Sequence, residues 1–273
     1  MADSRGMSTG APTPVVFVHG LWLHADSWGA WVDLFRESRY APTAPGWPGD
    51  SASVEETRAR ADAVAGHGID DIVDQYARVI GSLDAKPIVI GHSFGGLIAQ
   101  RLLGQDLAAA AVAIDPAPIK GVVYLPPSAL RVASVALRNP ANRGKAVALT
   151  AKQFRYGFGN TLTEAESNEL YERWSIPSPG KPLFEAAAAG FSSSSPAKVN
   201  TANASRGPLL ITAGGRDHTV PASISRTTAK LYRKSPAVTE LKEFPDRGHS
   251  LALDSGWREV ADAVLGWLRE KSL

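Results

Sequence analysis

Three residues that could together make an attacking oxygen stand far apart in this chain, each in a short stretch of small residues. Ser93 lies in GHSFG, Asp217 in GGRDHTVP and His249 in EFPDRGHS. A serine hydroxyl is a weak nucleophile, so it needs a base to take its proton, and the base needs a carboxylate to orient it. Ser93, Asp217 and His249 offer these parts in the chain order serine, acid, histidine. Asp115, which ends the apolar run AAVAID, is a second carboxylate able to reach the same histidine. The spacing leaves the choice between Asp217 and Asp115 open.

GHSFG spans Gly91 to Gly95 and fits G-x-S-x-G, a pattern that depends on its setting: the serine must sit on a tight turn from a strand into a helix. Both flanks comply. The β-branched run PIVI precedes it, and apolar residues at helical spacing (Leu97, Ile98, Leu102, Leu103) follow it. Such a helix start brings its positive end close to a developing anion. His92, beside the serine, is expected to shape the turn rather than to act as the base.

A tetrahedral oxyanion needs two donors, one from the residue after the nucleophile and one from an early loop. The Phe94 amide is the first. The stretch FVHGLWLHADSW supplies the Leu21 amide as the second, with the Trp22 amide as a fallback and the Trp22 side chain as a substrate contact. His19 reads as a structural residue that holds this loop. Leu23, His24 and Trp28 are read as either pocket or core, since an aromatic near a helix start is core about as often as not. His67 and His218 are read as solvent-facing or capping, and Gly46 to Asp50 as a strand-end turn.

These residues need a frame that brings them to one edge. Apolar runs recur at Pro14 (PVVFV), Tyr40 (YAPTAP), Pro87 (PIVI), Ala110 (AAVAID), Pro208 (PLLIT) and Thr239 (TELKEF), with helical patterns between them. That alternation predicts an α/β fold, a mainly parallel sheet of about six strands with helices on both faces. His249 follows the last of these runs, which places it on a loop at the same end of the sheet as Ser93. From 125 to 196 the alternation breaks down into short helical pieces, a Pro- and Gly-rich SIPSPGKP and a polar FSSSSP, read as an inserted helical cap. The core is then 14–124 and 197–273, and residues 1–13 read as a disordered leader in which Met7 is an alternative start.

Composition narrows the function. A formal net charge of +2 on 273 residues does not argue for nucleic acid or an anionic membrane. Without cysteine there are no disulfides and no thiolate metal sites. No apolar run approaches the roughly 20 residues that span a bilayer, and the opening lacks a signal-peptide core, so a cytoplasmic setting is the expectation.

The His-Gly loop, the GHSFGG elbow, the G-x-D-x-x-V-P segment around Asp217 and the R-G-H-S segment around His249 together resemble the α/β-hydrolase superfamily, in particular its small single-domain esterase and lactonase-like members. The resemblance runs from Pro14 to the C-terminus except over the cap. Such proteins often begin with two further strands that this chain lacks, so six strands are expected here rather than eight. The resemblance implies a serine hydrolase that cleaves a small apolar carboxylic ester or lactone through an acyl-serine, with no metal and no organic cofactor required. Epoxide hydrolases and haloalkane dehalogenases carry an aspartate at the position of Ser93, and related hydroxynitrile lyases a lysine at that of Ser250. Cofactor-free dioxygenases, perhydrolases and ligand receptors share the motifs and stay as alternatives.

Overall fold

The computed structural model describes residues 11–123 and 125–273. The leader's first ten residues, with Met7, lie outside them. The first half of the chain forms β1 (Pro14–Val18), α1 (Gly29–Glu37), β2 (Ala41–Thr43), α2 (Val54–Ala59), α3 (Ile69–Gly81), β3 (Ile88–His92), α4 (Phe94–Gly104) and β4 (Ala110–Ile114). The middle forms α5 (Pro127–Leu137), β5 (Ala146–Val147), α6 (Ala151–Gly157), α7 (Glu164–Trp174), β6 (Ser178–Pro179) and α8 (Lys181–Ala187). The last part forms β7 (Leu209–Gly214), α9 (Ala222–Leu231), β8 (Thr239–Phe244) and α10 (Trp257–Glu270).

Six strands make one sheet in the order β2-β1-β3-β4-β7-β8, and every pairing in it is parallel. All six apolar runs of the sequence are strands of this sheet. The four inner strands are covered on both faces, which is why their sequences are near-continuous apolar runs rather than alternating ones. Residues still alternate by face. Val16, Val18, Val89 and Ile211 pack on the side of α3 and α4, while Val15, Phe17, Ile90 and Leu210 pack on the side of α1 and α10. Each such side chain, fully removed from water, contributes roughly 1.5–3 kcal/mol before entropy is counted. The edge strand β8 instead exposes Leu241, Lys242 and Glu243, and charge on an edge discourages pairing with another chain.

The chain runs outward from β1 to β2 and then returns to the other side of β1 as β3. The carboxyl ends of β1 and β3, neighbours through Val18 and Gly91, thus flank the point where winding direction reverses. Crevices at such points are where open α/β sheets hold ligands. The loop after β1 carries Leu21, and the turn after β3 carries Ser93.

Between 125 and 196 the expected short helices are present, α5 to α8. They are joined by a two-stranded antiparallel pair, β5 with β6, that the sequence reading did not anticipate. Two-residue strands are too short to show periodicity. This region is tied to the loop after β1: the Trp22 amide donates to Ser178 Oγ at 2.6 Å, its indole N–H to the Val147 carbonyl at 3.0 Å, and the His24 amide to the Trp174 carbonyl at 3.0 Å. Among the described residues no helix is long and apolar enough to cross a membrane.

Candidate active site

Ser93 stands between β3 and α4 with φ 55° and ψ −119°, a left-handed backbone that a non-glycine residue adopts only where its surroundings hold it. Its amide donates to the Ile114 carbonyl of β4 at 2.9 Å, and its carbonyl accepts from Gly96 and Ala117. The glycines on either side are dictated by closeness. A Cβ on Gly91 would lie 2.0 Å from the Gly95 carbonyl oxygen, and one on Gly95 would lie 2.1 Å from that of Val18. The turn therefore presses strand, helix start and β1 into one corner with the serine at its tip.

The early loop lies against that tip, because a Cβ on Gly20 would stand 2.8 Å from Ser93 Cβ. His19 holds the loop, as expected. Its ring nitrogens face the Gly20 carbonyl and the Asp50 carboxylate, each at 3.0 Å, and its ring stacks on Trp47 at 4.9 Å. Trp47, in the Gly46–Asp50 turn, is thereby buried behind His19. The Leu21 and Phe94 amides donate to no protein acceptor among the described residues. Trp22 is no fallback donor, since Ser178 occupies its amide.

His249 must come back from β8, three strands from β3 and so about 14 Å away at the usual strand spacing. His92 makes the link: its Nε2–H donates to the His249 carbonyl at 2.8 Å, and the two rings are 4.6 Å apart. Burial, and then the neighbouring His249, push the His92 pKa down to about 3, so this ring stays neutral and serves as a donor. The expectation that His92 shapes the turn takes this concrete form. The loop after β8 is otherwise held by Asp254, which accepts from Arg247 and, at 3.0 Å, from Ser250 Oγ, and by Trp31 of α1, whose indole N–H donates to the Ala252 carbonyl at 2.7 Å. The R-G-H-S stretch owes its first and last residues to this scaffold.

Asp217 follows β7, and its loop is zipped to that of His249 through the Gly215 and Arg216 amides, which donate to the Phe244 and Arg247 carbonyls. Asp217 Oδ1 accepts from the Thr219 and Val220 amides at 2.6 and 2.8 Å, and Oδ2 accepts from His249 Nδ1 at 2.6 Å. Burial alone would raise its pKa; His249 and the donors around it outweigh that and hold it below the usual carboxylate range. Of the two acids left open by the sequence, Asp217 is the one bonded to His249. Asp115 sits behind it, with both oxygens toward the Gly214 amide at 3.0 and 3.2 Å.

With Nδ1 given to Asp217, His249 presents Nε2 as a lone pair, buried and without a partner. Ser93 Oγ makes no hydrogen bond to it or to any other described residue. Phe158, edge-on to the imidazole at 4.9 Å and stacked on Phe154 at 4.8 Å, covers the ring. In sequence it is equally a pocket wall or a core aromatic of a helical insert, and its cover of the imidazole depends on a contact distant along the chain. Asp115, Asp217 and His249 are also close enough together to suggest a metal site. Asp217 is committed to His249 Nδ1 and two backbone amides and Asp115 to the Gly214 amide, so the two carboxylates are already engaged as acceptors.

Ser93, Leu21, Trp22 and Phe94 open on a cavity of about 340 Å³. Ile119, Val122, Leu125, Val132, Leu183 and Ile224 form much of its wall; among the described residues none that lines it is charged, and Ser93 and Thr219 bring the hydroxyls. Leu23, His24 and Trp28 do not line it; Trp28 is core, and His24 caps the turn that follows it. His218 is half-buried, and its ring nitrogen meets the Tyr156 carbonyl in the last turn of α6 at 3.1 Å, a capping contact as expected.

The family model described as the alpha/beta hydrolase family matches residues 15–263. No curated protein matches the sequence. Among solved structures, the chain is similar to a methylesterase, MES16, from Arabidopsis (16% identity, TM-score 0.67, 94% of this chain and 99% of that one). It is also similar to a monoacylglycerol lipase from Paleococcus ferrophilus (23% identity, TM-score 0.66, 95% of each chain). A third likeness is to a thermophilic esterase from Thermogutta terrifontis (20% identity, TM-score 0.66, 96% and 91%). At these identities the likeness speaks for the fold.

Proposed function

This chain belongs to the alpha/beta hydrolase family, and we propose that it is a serine hydrolase that cleaves a small, neutral, apolar carboxylic ester or lactone. The observation that carries the reading is the buried Asp217–His249 pair, which leaves Nε2 as the imidazole's free lone pair on the rim that also bears Ser93.

In this reading Ser93 Oγ comes to Nε2 as substrate enters; such hydrogen bonds are often long or poorly aligned before the substrate is bound. His249 takes the hydroxyl proton as Oγ attacks the carbonyl carbon. The charge on the carbonyl oxygen is met by the Leu21 and Phe94 amides. His249 then returns the proton to the leaving alcohol, and the acyl-serine is hydrolysed by water activated by the same nitrogen. Asp217 holds the tautomer and stabilises the imidazolium.

The cavity supports the substrate class. Bringing a charged group into a wall without charges costs several kcal/mol that nothing there offsets, so the group beside the ester is apolar. Residues 125–196 act as the cap, since α5 and α8 contribute Val132 and Leu183 to that wall. Ser93→Ala should abolish multiple turnover of a short-chain p-nitrophenyl ester while circular dichroism stays that of the parent; retained turnover removes the proposal.

A further inference from the structure

We propose that Asp115 is a positioning residue that hands a hydrogen bond to Asp217 and so secures the carboxylate that orients His249. The proposal deepens the reading of the site as a serine hydrolase and rests on it for its kinetic consequences.

Closeness and burial call for one proton on this pair of acids. Asp115, Asp217 and His249 each bring a polar atom within 4.8 Å of the others, and all three residues are buried. Two carboxyl groups this close cannot both be ionised in a dry site, so one keeps its proton. The donors decide which. Asp217 receives His249 Nδ1–H and two backbone amides, whereas Asp115 receives the Gly214 amide and a long contact of 3.5 Å from the Thr212 hydroxyl. Among the described residues no cation pairs with Asp115. Arg216 pairs with Asp246, Arg247 with Asp254 and Glu259, and the titratable groups nearest on the neighbouring strand and loops are His92, Asp217 and His249. Asp217 is thus the anion and Asp115 the acid. Burial, and then the Asp217 charge, push the Asp115 carboxyl well above the usual carboxylate range, in agreement with this assignment.

Asp115 also holds a costly backbone, with φ 43° at the end of β4, which turns its side chain toward β7. A cap or a solvent-facing strand-end carboxylate would need neither that turn nor full burial.

Two variants and one spectrum test this. Asp115→Leu keeps the bulk and removes the donor: kcat should fall about 10- to 100-fold, the worth of a hydrogen bond to a charged group, with KM little changed. The acidic limb of the kcat/KM profile should move to higher pH, because Asp217 without its donor stabilises the imidazolium more. Asp115→Asn restores a neutral donor and should recover kcat to within about tenfold, with the limb back at its parental midpoint. A limb moved to lower pH by Asp115→Asn would mean that a negative charge had been removed, and a loss of order 10⁴ would mean that Asp115 is itself the catalytic acid; either overturns the proposal. The infrared difference spectrum between Ser93→Ala and Ser93→Ala/Asp115→Asn at neutral pH should contain the carbonyl stretch of a protonated carboxylic acid, and its absence overturns the proposal even where Asp115→Leu does not fold. Because the spectrum needs no turnover, failure of the hydrolase reading and failure of this one are separable.

Discussion

Asp217 Oδ2 and His249 Nδ1 stand 2.6 Å apart with neither side chain exposed to solvent. The contact determines which imidazole nitrogen carries hydrogen, and therefore which one would take a proton from Ser93 in the proposed reaction. Asp217→Asn keeps the shape but offers an amide that can turn its N–H toward Nδ1 and favour the wrong tautomer. A loss of about 10⁴ in kcat is expected by analogy with the serine protease triad. Steady-state kinetics on a p-nitrophenyl ester check this, and a loss below tenfold would dissociate Asp217 from the chemistry.

The cavity wall predicts specificity. Ala133 of α5 lines it and is only partly buried, so a carboxylate there can be tolerated by the fold. Ala133→Asp places a charge in an apolar lining. KM for a neutral apolar ester should rise by about tenfold or more, the scale on which apolar pockets discriminate, while kcat changes little. A substrate series of graded acyl length would locate the effect, and an unaltered KM across it would mean that substrates bind elsewhere.

Two glycines separate crowding from freedom. A methyl on Gly95 would meet the Val18 carbonyl oxygen at 2.1 Å, a rigid backbone atom, so Gly95→Ala should cost about 3 kcal/mol or more. Gly266, inside α10, has nothing within 4 Å of its added Cβ. Gly266→Ala should raise stability by about 1 kcal/mol through helix propensity alone. Urea denaturation of both variants reads the contrast in sign.

The elements that carry the site were legible because each has a local signature. PVVFV, PIVI, AAVAID and PLLIT are buried on both faces and show it as unbroken apolar runs. The elbow declares itself in GHSFG since a Cβ at either glycine collides with backbone. What escaped the sequence depends on partners distant along the chain. Ser178, 156 residues after Trp22, takes the amide that was held in reserve for the oxyanion. Phe158 covers His249, and Asp115 turned out to take the Gly214 amide rather than the imidazole. No local pattern encodes which of two strand-end carboxylates receives a given N–H. That outcome depends on the loop after β7, whose Thr219 and Val220 amides aim Asp217.

Buried His92 and Asp115 make opposing contributions to stability against pH. His92 has its pKa lowered from 6.5 to about 3, so the unfolded chain binds a proton that the native state refuses; its contribution is present above about 6.5 and lost as pH falls toward about 3. Asp115 is raised from 3.8, so the native state keeps a proton that the unfolded chain releases; its contribution is present below about 3.8 and lost as pH rises. Each slope is roughly 1.4 kcal/mol per pH unit. Between about pH 4 and 6.5 the two cancel, since each state holds one of these protons. Asp115→Asn removes one slope, so above about pH 4 its stability relative to the parent should climb by roughly 1.4 kcal/mol per unit for as long as the native Asp115 keeps its proton. Urea midpoints at pH 5, 6, 7 and 8 measure the difference. A constant offset between the two proteins would mean that Asp115 is ionised in the native state.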